Sequence, residues 1–375
     1  MARVNEKMAD AKKAKNDEFY TLYEDIQKEI NAYLEYDPDV FRGKTVLLPC
    51  DDPEWSNFTR FFAQNFENFG LKKLISTSYA ADSKPAEIPY QLTFFETEAP
   101  QYDEGKTRSH GKIFTLTRRK AKHIDIDDLE WSYLEGDGDF RSDEVTALRD
   151  EADIIITNPP FSLFREFVAW IVEAKKQFLV IGNINSITYK EIFALIKDNK
   201  VWLGNGMGRW ISGFIVPESY ELFGTEARID ADGNRIVATN NCLWLTNIEH
   251  GRRHQPMNLM TMAANLKFSK HKEIRENGYP HYDNYDAIDV PYSDAIPSDY
   301  TGVMGVPVTF LDKYNPDQFE ILGITDRQNT SGLRTKKYTQ EDSPKFNDLN
   351  ARSVIRLSDG TYKQVYARIL IKKKV

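Results

Sequence analysis

The residues with the most specific chemical meaning are Asn158-Pro159-Pro160-Phe161, directly after the apolar run Ile154-Ile155-Ile156-Thr157. Prolines end any strand ladder, so a plain strand-terminating turn accounts for the two prolines alone. It does not account for an Asn before them and an aromatic after. Consecutive prolines lock the backbone, which lets the Asn158 side-chain oxygen and the Pro159 carbonyl stand as a rigid pair of acceptors. An exocyclic NH2 group offers two matching donors. Accepting both hydrogens enriches the nitrogen in electrons and favours the tetrahedral geometry it needs to attack an electrophilic methyl. Phe161 adds a flat apolar face on which an extruded base can stack.

These residues need a scaffold. Phe19, Leu22, Ile26, Ile30 and Leu34 recur at helical spacing and predict an opening helix over residues 17–36, capped by Asp17. The run Thr45-Val46-Leu47-Leu48 predicts a strand, Phe58 to Phe69 a helix, and Leu74 to Tyr79 a second strand. Residues 81–124 alternate at 91–96 and 112–117, which predicts an inserted basic hairpin. The β-branched run at 154–156 reads as a strand buried on both faces, and helix, strand, helix and strand follow to Gly204. Repeated strand–helix alternation predicts an α/β fold with a doubly wound sheet, whose ligands sit outside the carboxyl ends of the strands. From about residue 252 the rhythm is lost, and short strands at 308–311, 319–324 and 365–371 predict a mixed α+β region.

The segments KNDEFYTLYEDI, KTVLLPCDDPEWSNFTRFF, GDGDFRSDE, TNPPFSLFREFV, VIGNINSITYKEIFALIK and VWLGNGMGRWISGFIVP together resemble the EcoRI-type adenine-specific DNA methyltransferases. These are class I S-adenosylmethionine-dependent enzymes with a (D/N/S)PP(Y/F) motif after the fourth strand. The resemblance covers roughly residues 14–250 and implies a Rossmann-like methyltransferase sheet. It implies a catalytic domain over residues 1–250, interrupted by the insertion at 81–124, and a DNA target-recognition region over 251–375. Asn158, Pro159, Pro160 and Phe161 are then the catalytic motif. S-adenosylmethionine is the implied cofactor, held by Tyr20, Thr21, Pro49, Cys50, Asp51, Asn57, Phe58, Asp139 and Phe140. Asp139 would accept from the cofactor's adenine amino group while Phe140 stacks on its ring. One departure is visible: the usual glycine-rich turn after the first strand is here PCDDPEWSNF, without glycine. No ribose-binding acid is evident after the second strand, LISTSYA.

Other readings of the same residues are blander. Asp52-Pro53-Glu54 suits a helix N-terminus, and Gly136 to Asp139 an ordinary Asp-Gly turn. Pro49-Cys50 matches the nucleophile pair of cytosine-C5 methyltransferases, but there the pair follows the fourth strand, the place taken here by Asn158. GNGMGRW at 204–210 lacks a P-loop's context and reads as a flexible loop over the active site, with Trp210 in the core or against the target base. The six histidines show no metal-binding spacing.

Composition sets the outer bounds. With 49 basic and 57 acidic residues the formal charge is -8, and 41% of residues are hydrophobic, as in ordinary folded proteins. Two cysteines, Cys50 and Cys242, make no disulfide framework and fit a reducing cytoplasm; no apolar run reaches membrane-spanning length, so no membrane partner is expected. The basic residues are clustered: seven lysines and arginines and no acid lie within 106–123. Expected phosphate contacts are Lys106, Arg108, Arg118, Arg119 and Lys120, then Arg252 and Arg253, with base readout near Arg327, Gln328, Asn329 and Arg334. The expected partner is double-stranded DNA. A cognate restriction endonuclease would act on the same site without a stable complex. N4-cytosine, RNA adenine and glutamine side chains also present a planar NH2, and a non-catalytic DNA-binding protein on a decayed fold is a further alternative.

Overall fold

The computed structural model describes residues 20–51, 56–80, 100–118, 129–207, 211–216, 222, 227–231, 233–237, 241–326 and 332–374. By internal packing the chain divides into two compact units, Met1–Ser186 with Leu203–His250, and Ile187–Trp202 with Gly251–Val375.

The first unit begins with β1 (Tyr20–Thr21) and α1 (Tyr23–Tyr36), then β2 (Thr45–Leu48), α2 (Asn57–Gln64), α3 (Phe66–Phe69) and β3 (Lys73–Ser78). Next come α4 (Glu104–Ser109), β4 (Lys112–Thr117), β5 (Glu130–Tyr133), α5 (Asp143–Glu151), β6 (Ile154–Thr157), α6 (Phe164–Glu173) and β7 (Gln177–Asn183). After α7 (Lys190–Lys197), which packs with the second unit, follow β8 (Trp202–Met207), β9 (Phe214–Val216), β10 (Arg228–Ile229), β11 (Arg235–Val237) and β12 (Cys242–Thr246). Eight strands form one mixed sheet in the order β5-β4-β3-β2-β6-β7-β12-β8. Its centre, β3-β2-β6-β7, is parallel, and every residue of β2 and β6 is buried. Such uninterrupted burial is why those strands read as continuous apolar runs. The connecting helices press apolar faces on them: Phe58, Phe61 and Phe62 from α2, Phe164, Phe167 and Ile171 from α6.

Three expectations change. Residues 112–117 are no arm of an inserted hairpin but a strand of the main sheet, antiparallel to β3 from Ser78↔Lys112 to Lys73↔Thr117, with β5 on its far side. The alternation that suggested a hairpin reflects one buried face: Lys112, Phe114 and Leu116 point in. Residues 91–96 lie outside the described residues. The opening helix starts at Tyr23 rather than at 17, because Tyr20 and Thr21 pair with Ile215 and Phe214 of β9 in a small antiparallel sheet, β1-β9-β11-β10; Asp17 is outside the described residues. Gly204 and Asn205 belong to strand β8 rather than to a loop, and a Cβ on Gly204 would come within 2.2 Å of Glu29 Oε1 and 2.6 Å of Trp244 Cβ. Trp210 lies outside the described residues.

The second unit contains α8 (Met262–Phe268), α9 (Lys272–Asn277), β13 (Ile288–Asp289), β14 (Met304–Pro307), β15 (Phe319–Ile324), α10 (Phe346–Leu349), β16 (Val354–Arg356), β17 (Tyr362–Gln364) and β18 (Arg368–Lys373). Its sheet runs β13-β14-β18-β15, and β16 and β17 form a separate hairpin. Val308–Lys313, whose first four residues were expected to be a strand, is a 3-10 helix because Pro307 ends the ladder there; Phe310 and Leu311 still turn inward.

Candidate functional site

Parallel pairing of β2 with β6, Val46↔Ile154 and Leu47↔Ile155, sets their carboxyl ends side by side. The turn Pro49-Cys50-Asp51 therefore neighbours Asn158-Pro159-Pro160-Phe161. Thr157, the last residue of β6, donates its hydroxyl to the Pro49 carbonyl oxygen at 2.7 Å. On the other side of β2, the Asp51 amide donates to Thr77 O of β3 at 2.7 Å, and the Ser76 hydroxyl donates to the Asp51 carbonyl. Cys50 turns the chain with a left-handed φ of 61°.

The Asp51 carboxylate is buried and engaged by the start of α2. It accepts from the Ser56 hydroxyl and from Thr59, amide at 3.2 Å and hydroxyl at 2.7 Å. Negative charge at a helix N-terminus is favourable, so this turn needs no glycine to hold its shape. Ser56 is the N-cap, accepting from Phe58 N at 3.1 Å; residues 52–55, the expected cap, lie outside the described residues. Asn57 Nδ2 donates to Thr21 O at 2.8 Å and ties β1 to this helix start. Phe58 is buried against Trp244, ring centroids 6.0 Å apart. The Thr21 hydroxyl is buried with no hydrogen-bond partner among the described residues, a polar atom that suits a ligand.

Asn158 is half-buried and Pro159 buried. Pro160 accepts from Leu163 N at 3.0 Å, so Phe161–Leu163 forms a 3-10 turn leading into α6, and Phe161 leans on the edge of the core.

Asp137–Phe140 passes beside the exit of β3. Ala80 N donates to Asp137 O at 2.8 Å. Gly138, at φ +86°, lies so close that an added Cβ would sit 2.3 Å from Ser78 O. Asp139 accepts from Arg141 through Nε at 2.9 Å and Nη2 at 2.6 Å, and Arg141 reaches Glu166 at 3.2 Å. Burial pushes the Asp139 carboxyl up, but the Arg141 hydrogen bonds outweigh it and hold the group below the usual carboxylate range. The Phe140 ring is fully buried, edge-on to Phe167 at 5.0 Å and Trp170 at 5.5 Å. Tyr79, which no motif singled out, stands half-buried at the exit of β3, its phenol pushed far up by burial first and then by Cys50 and Asp139.

Two buried acids on α1 also escaped the sequence reading. Glu29 accepts from Tyr33 OH at 2.9 Å and Asn205 N at 2.7 Å, and Asp25 from Ser212 N at 2.7 Å. They fasten the ends of the glycine-bearing segment. Their signal was two carboxylates at i, i+4 on an otherwise apolar helix face.

The expected DNA contacts divide. Lys106 and Arg108 are exposed on α4, and Arg118 is exposed with Glu67 at 3.6 Å. Arg252 pairs with Asp312 at 2.6 Å, and Arg253 is buried with its guanidinium 3.6 Å from the Trp202 ring centroid, donating to Asn199. Arg334 is half-buried, 3.4 Å from Tyr285 OH. Arg119, Lys120, Arg327, Gln328 and Asn329 lie outside the described residues. Among the described residues no three His, Cys, Asp or Glu side chains could hold a metal, and no helix is long and apolar enough to cross a membrane.

A family model described as "Adenine-specific methyltransferase EcoRI" matches residues 7–374. The chain belongs to this family. Membership makes it an enzyme, a site-specific DNA adenine methyltransferase of the restriction–modification kind. The chain is 48% identical to "Type II methyltransferase M.EcoRI" of Escherichia coli over 86% of its own length and 90% of that protein. It is 37% identical to "Type II methyltransferase M.MpnI" of Mycoplasma pneumoniae over 83% of each chain. A third relative, "Type II methyltransferase M.MgeORF184P" of Mycoplasma genitalium, is 33% identical over 97% of this chain and 98% of its own. No solved structure gave a significant match. Members of the EcoRI methyltransferase family generally use S-adenosylmethionine, and the buried Thr21 hydroxyl beside Asn57 fits a polar group of such a ligand.

Proposed function

We propose that this EcoRI-family methyltransferase modifies N6 of an adenine flipped out of duplex DNA, with S-adenosylmethionine as donor, on a doubly wound, Rossmann-like scaffold. The observation that carries it is the adjacency of Asn158-Pro159-Pro160-Phe161 and Pro49-Cys50-Asp51 at the carboxyl edge of parallel β6 and β2. When bound, the cofactor supplies a methyl on a sulfonium, already a strong electrophile. Asn158 and Pro159 accept the two amino hydrogens and turn the N6 lone pair outward. Phe161 stacks on the base, and Pro160 keeps the acceptors rigid. Tyr20, Thr21, Pro49, Cys50, Asp51, Asn57 and Phe58 shape one side of the cofactor pocket, Asp139 receives the adenine amino group, and Phe140 anchors Asp139 from the core. Rate comes mainly from positioning, with no covalent enzyme intermediate.

Lys106, Arg108 and Arg118 are proposed phosphate contacts, and residues 251–375 the target-recognition region. The enzyme acts in the cytoplasm, and a cognate endonuclease cutting the same unmethylated site need not bind it. Transfer of labelled methyl to unmethylated duplex DNA, followed by digestion to nucleosides, tests this. N6-methyladenine is expected; label in N4-methylcytosine, RNA or protein overturns it.

A further inference from the structure

In the second unit the hairpin of β16 and β17 opens onto two side chains that no motif singled out, Arg352 and Tyr366. Its ladder pairs Val354↔Gln364, Ile355↔Lys363 and Arg356↔Tyr362, and Val365 N carries it one step further by donating to Ser353 O at 3.1 Å. The same register sets Arg352 opposite Tyr366, and the guanidinium carbon lies 5.8 Å from the ring centroid. The ring stays out of the core. Tyr366 is 79% exposed, more than any other large apolar side chain among the described residues, and Arg352 is half-buried.

The backbone beneath the pair is fastened by buried polar groups. Asn284, fully buried, donates through Nδ2 to Arg352 O at 2.9 Å and accepts from Val354 N at 2.9 Å. Ser353 is fully buried as well, its hydroxyl 3.2 Å from Thr325 Oγ1, which also accepts from Arg368 N at 2.9 Å. Both strands are thus pinned beside the exposed pair. A lone exposed tyrosine is ordinary surface, but one held on a pinned strand end against a cation is a preorganised contact.

The charge at this edge is positive. Among the described residues no carboxylate forms an ion pair with Arg352 or with Arg334, which Thr335 N brings to the same Asn284 by donating to its carbonyl at 3.0 Å. Two acids of this unit are engaged elsewhere: Asp283 by Lys336 at 2.8 Å and Tyr338 at 2.7 Å, Asp289 by Arg368 at 2.9 Å and Tyr282 at 2.6 Å. A guanidinium without a carboxylate, beside an open aromatic face, complements a polyanion that also presents sugars and bases. Duplex DNA, the substrate of this enzyme family, has that chemistry.

We propose that Arg352 and Tyr366 form a DNA contact, the guanidinium meeting a backbone phosphate while the ring packs on the sugar and base surface beside it. The inference deepens the reading of residues 251–375 as the target-recognition region and rests on it.

The test is fluorescence anisotropy of a labelled, unmethylated duplex of mixed sequence, titrated with the full chain at several salt concentrations, for wild type, Arg352→Ala, Arg352→Lys and Tyr366→Ala. Arg352→Ala should weaken binding about tenfold and lower the slope of log binding constant against log salt by about 1, and Arg352→Lys should keep the slope. Tyr366→Ala should weaken binding about fivefold at unchanged slope, since an uncharged ring releases no counterion. Melting temperature and affinity for S-adenosylhomocysteine should hold in all three. An unchanged slope in Arg352→Ala, wild-type affinity in Tyr366→Ala, or a lower melting temperature beside the lost affinity overturns the proposal alone. Failure of the wild type itself to bind the duplex overturns the target-recognition reading, and the proposal with it.

Discussion

The Thr157 hydroxyl donates to the Pro49 carbonyl across 2.7 Å, and beyond the strand ladder this bond ties the end of β6, leading to the proposed catalytic motif, to the end of β2, leading to the proposed cofactor turn. Both groups are buried. Thr157→Val keeps the shape but leaves the Pro49 carbonyl without its donor, which should cost about 1–3 kcal/mol of stability. Urea unfolding should show it as a lower midpoint at unchanged slope, and cofactor affinity should fall as well. An unchanged midpoint would mean that the backbone pairing alone holds the two turns in register.

Asn158→Ala removes one of the two proposed acceptors for the amino hydrogens while leaving the prolines in place. The turnover rate should fall by about 100- to 1000-fold, the scale seen when one preorganised polar group is removed from a reacting centre. Cofactor affinity and melting temperature should hold. Single-turnover transfer of labelled methyl separates this from a binding defect; near-normal turnover would move the polarising role elsewhere.

Asp25 makes stability depend on pH in an unusual direction. Burial raises its carboxyl above the ordinary value, although the Ser212 hydrogen bonds and Lys28 oppose the shift and Glu24 adds to it. The folded state therefore holds the proton more tightly than the unfolded chain, and ionised Asp25 lowers stability as pH rises through the folded value. Asp25→Asn keeps an acceptor for Ser212 N and should be the more stable protein at neutral pH. Melting curves from pH 4 to 8 should show its advantage shrinking as the solution is acidified. A gap that ignores pH would mean that Asp25 is not the titrating group.

The basic residues should separate by role. Lys106→Ala and Arg108→Ala remove exposed cations and should each lower the slope of log binding constant against log salt by about 1, with little effect on melting. Arg252→Ala takes the ion-pair partner from half-buried Asp312, whose charge Lys313 offsets less, and should cost about 1–3 kcal/mol of stability. DNA titrations at several salt concentrations, run beside melting curves, check both. A pure stability effect at Lys106, or a pure affinity effect at Arg252, would reverse the assignment.

The parallel centre of the sheet was legible because strands buried on both faces must be apolar throughout, as in Ile154-Ile155-Ile156. Asn158-Pro159-Pro160-Phe161 stood out because Asn before two prolines and Phe after them is chemically specific, and the strand run before it foretold its place at the end of β6. The end of the β3 region was not, since Tyr79 carries no pattern until Gly111 and Gly138 bring a distant turn against it. Arg252 and Arg253 read as phosphate contacts because charge shows in a sequence, whereas Asp312 and Trp202, which engage them, are brought near only by folding. Lys112–Thr117 carried the right strand period but no information about its partner.

The order of strands has a consequence for synthesis. β12 follows β8 in the chain yet lies between β7 and β8 in the sheet, pairing Cys242↔Asn183 through Thr246↔Leu179. While the ribosome is still upstream of Cys242, the edge of β7 is bare and β8 has nothing to pair with. An uncovered edge beside a strongly apolar strand invites association with other nascent chains. A message broken before that point should thus yield insoluble fragments rather than a slow enzyme, and modification of the cell's DNA would wait for chains carried past it.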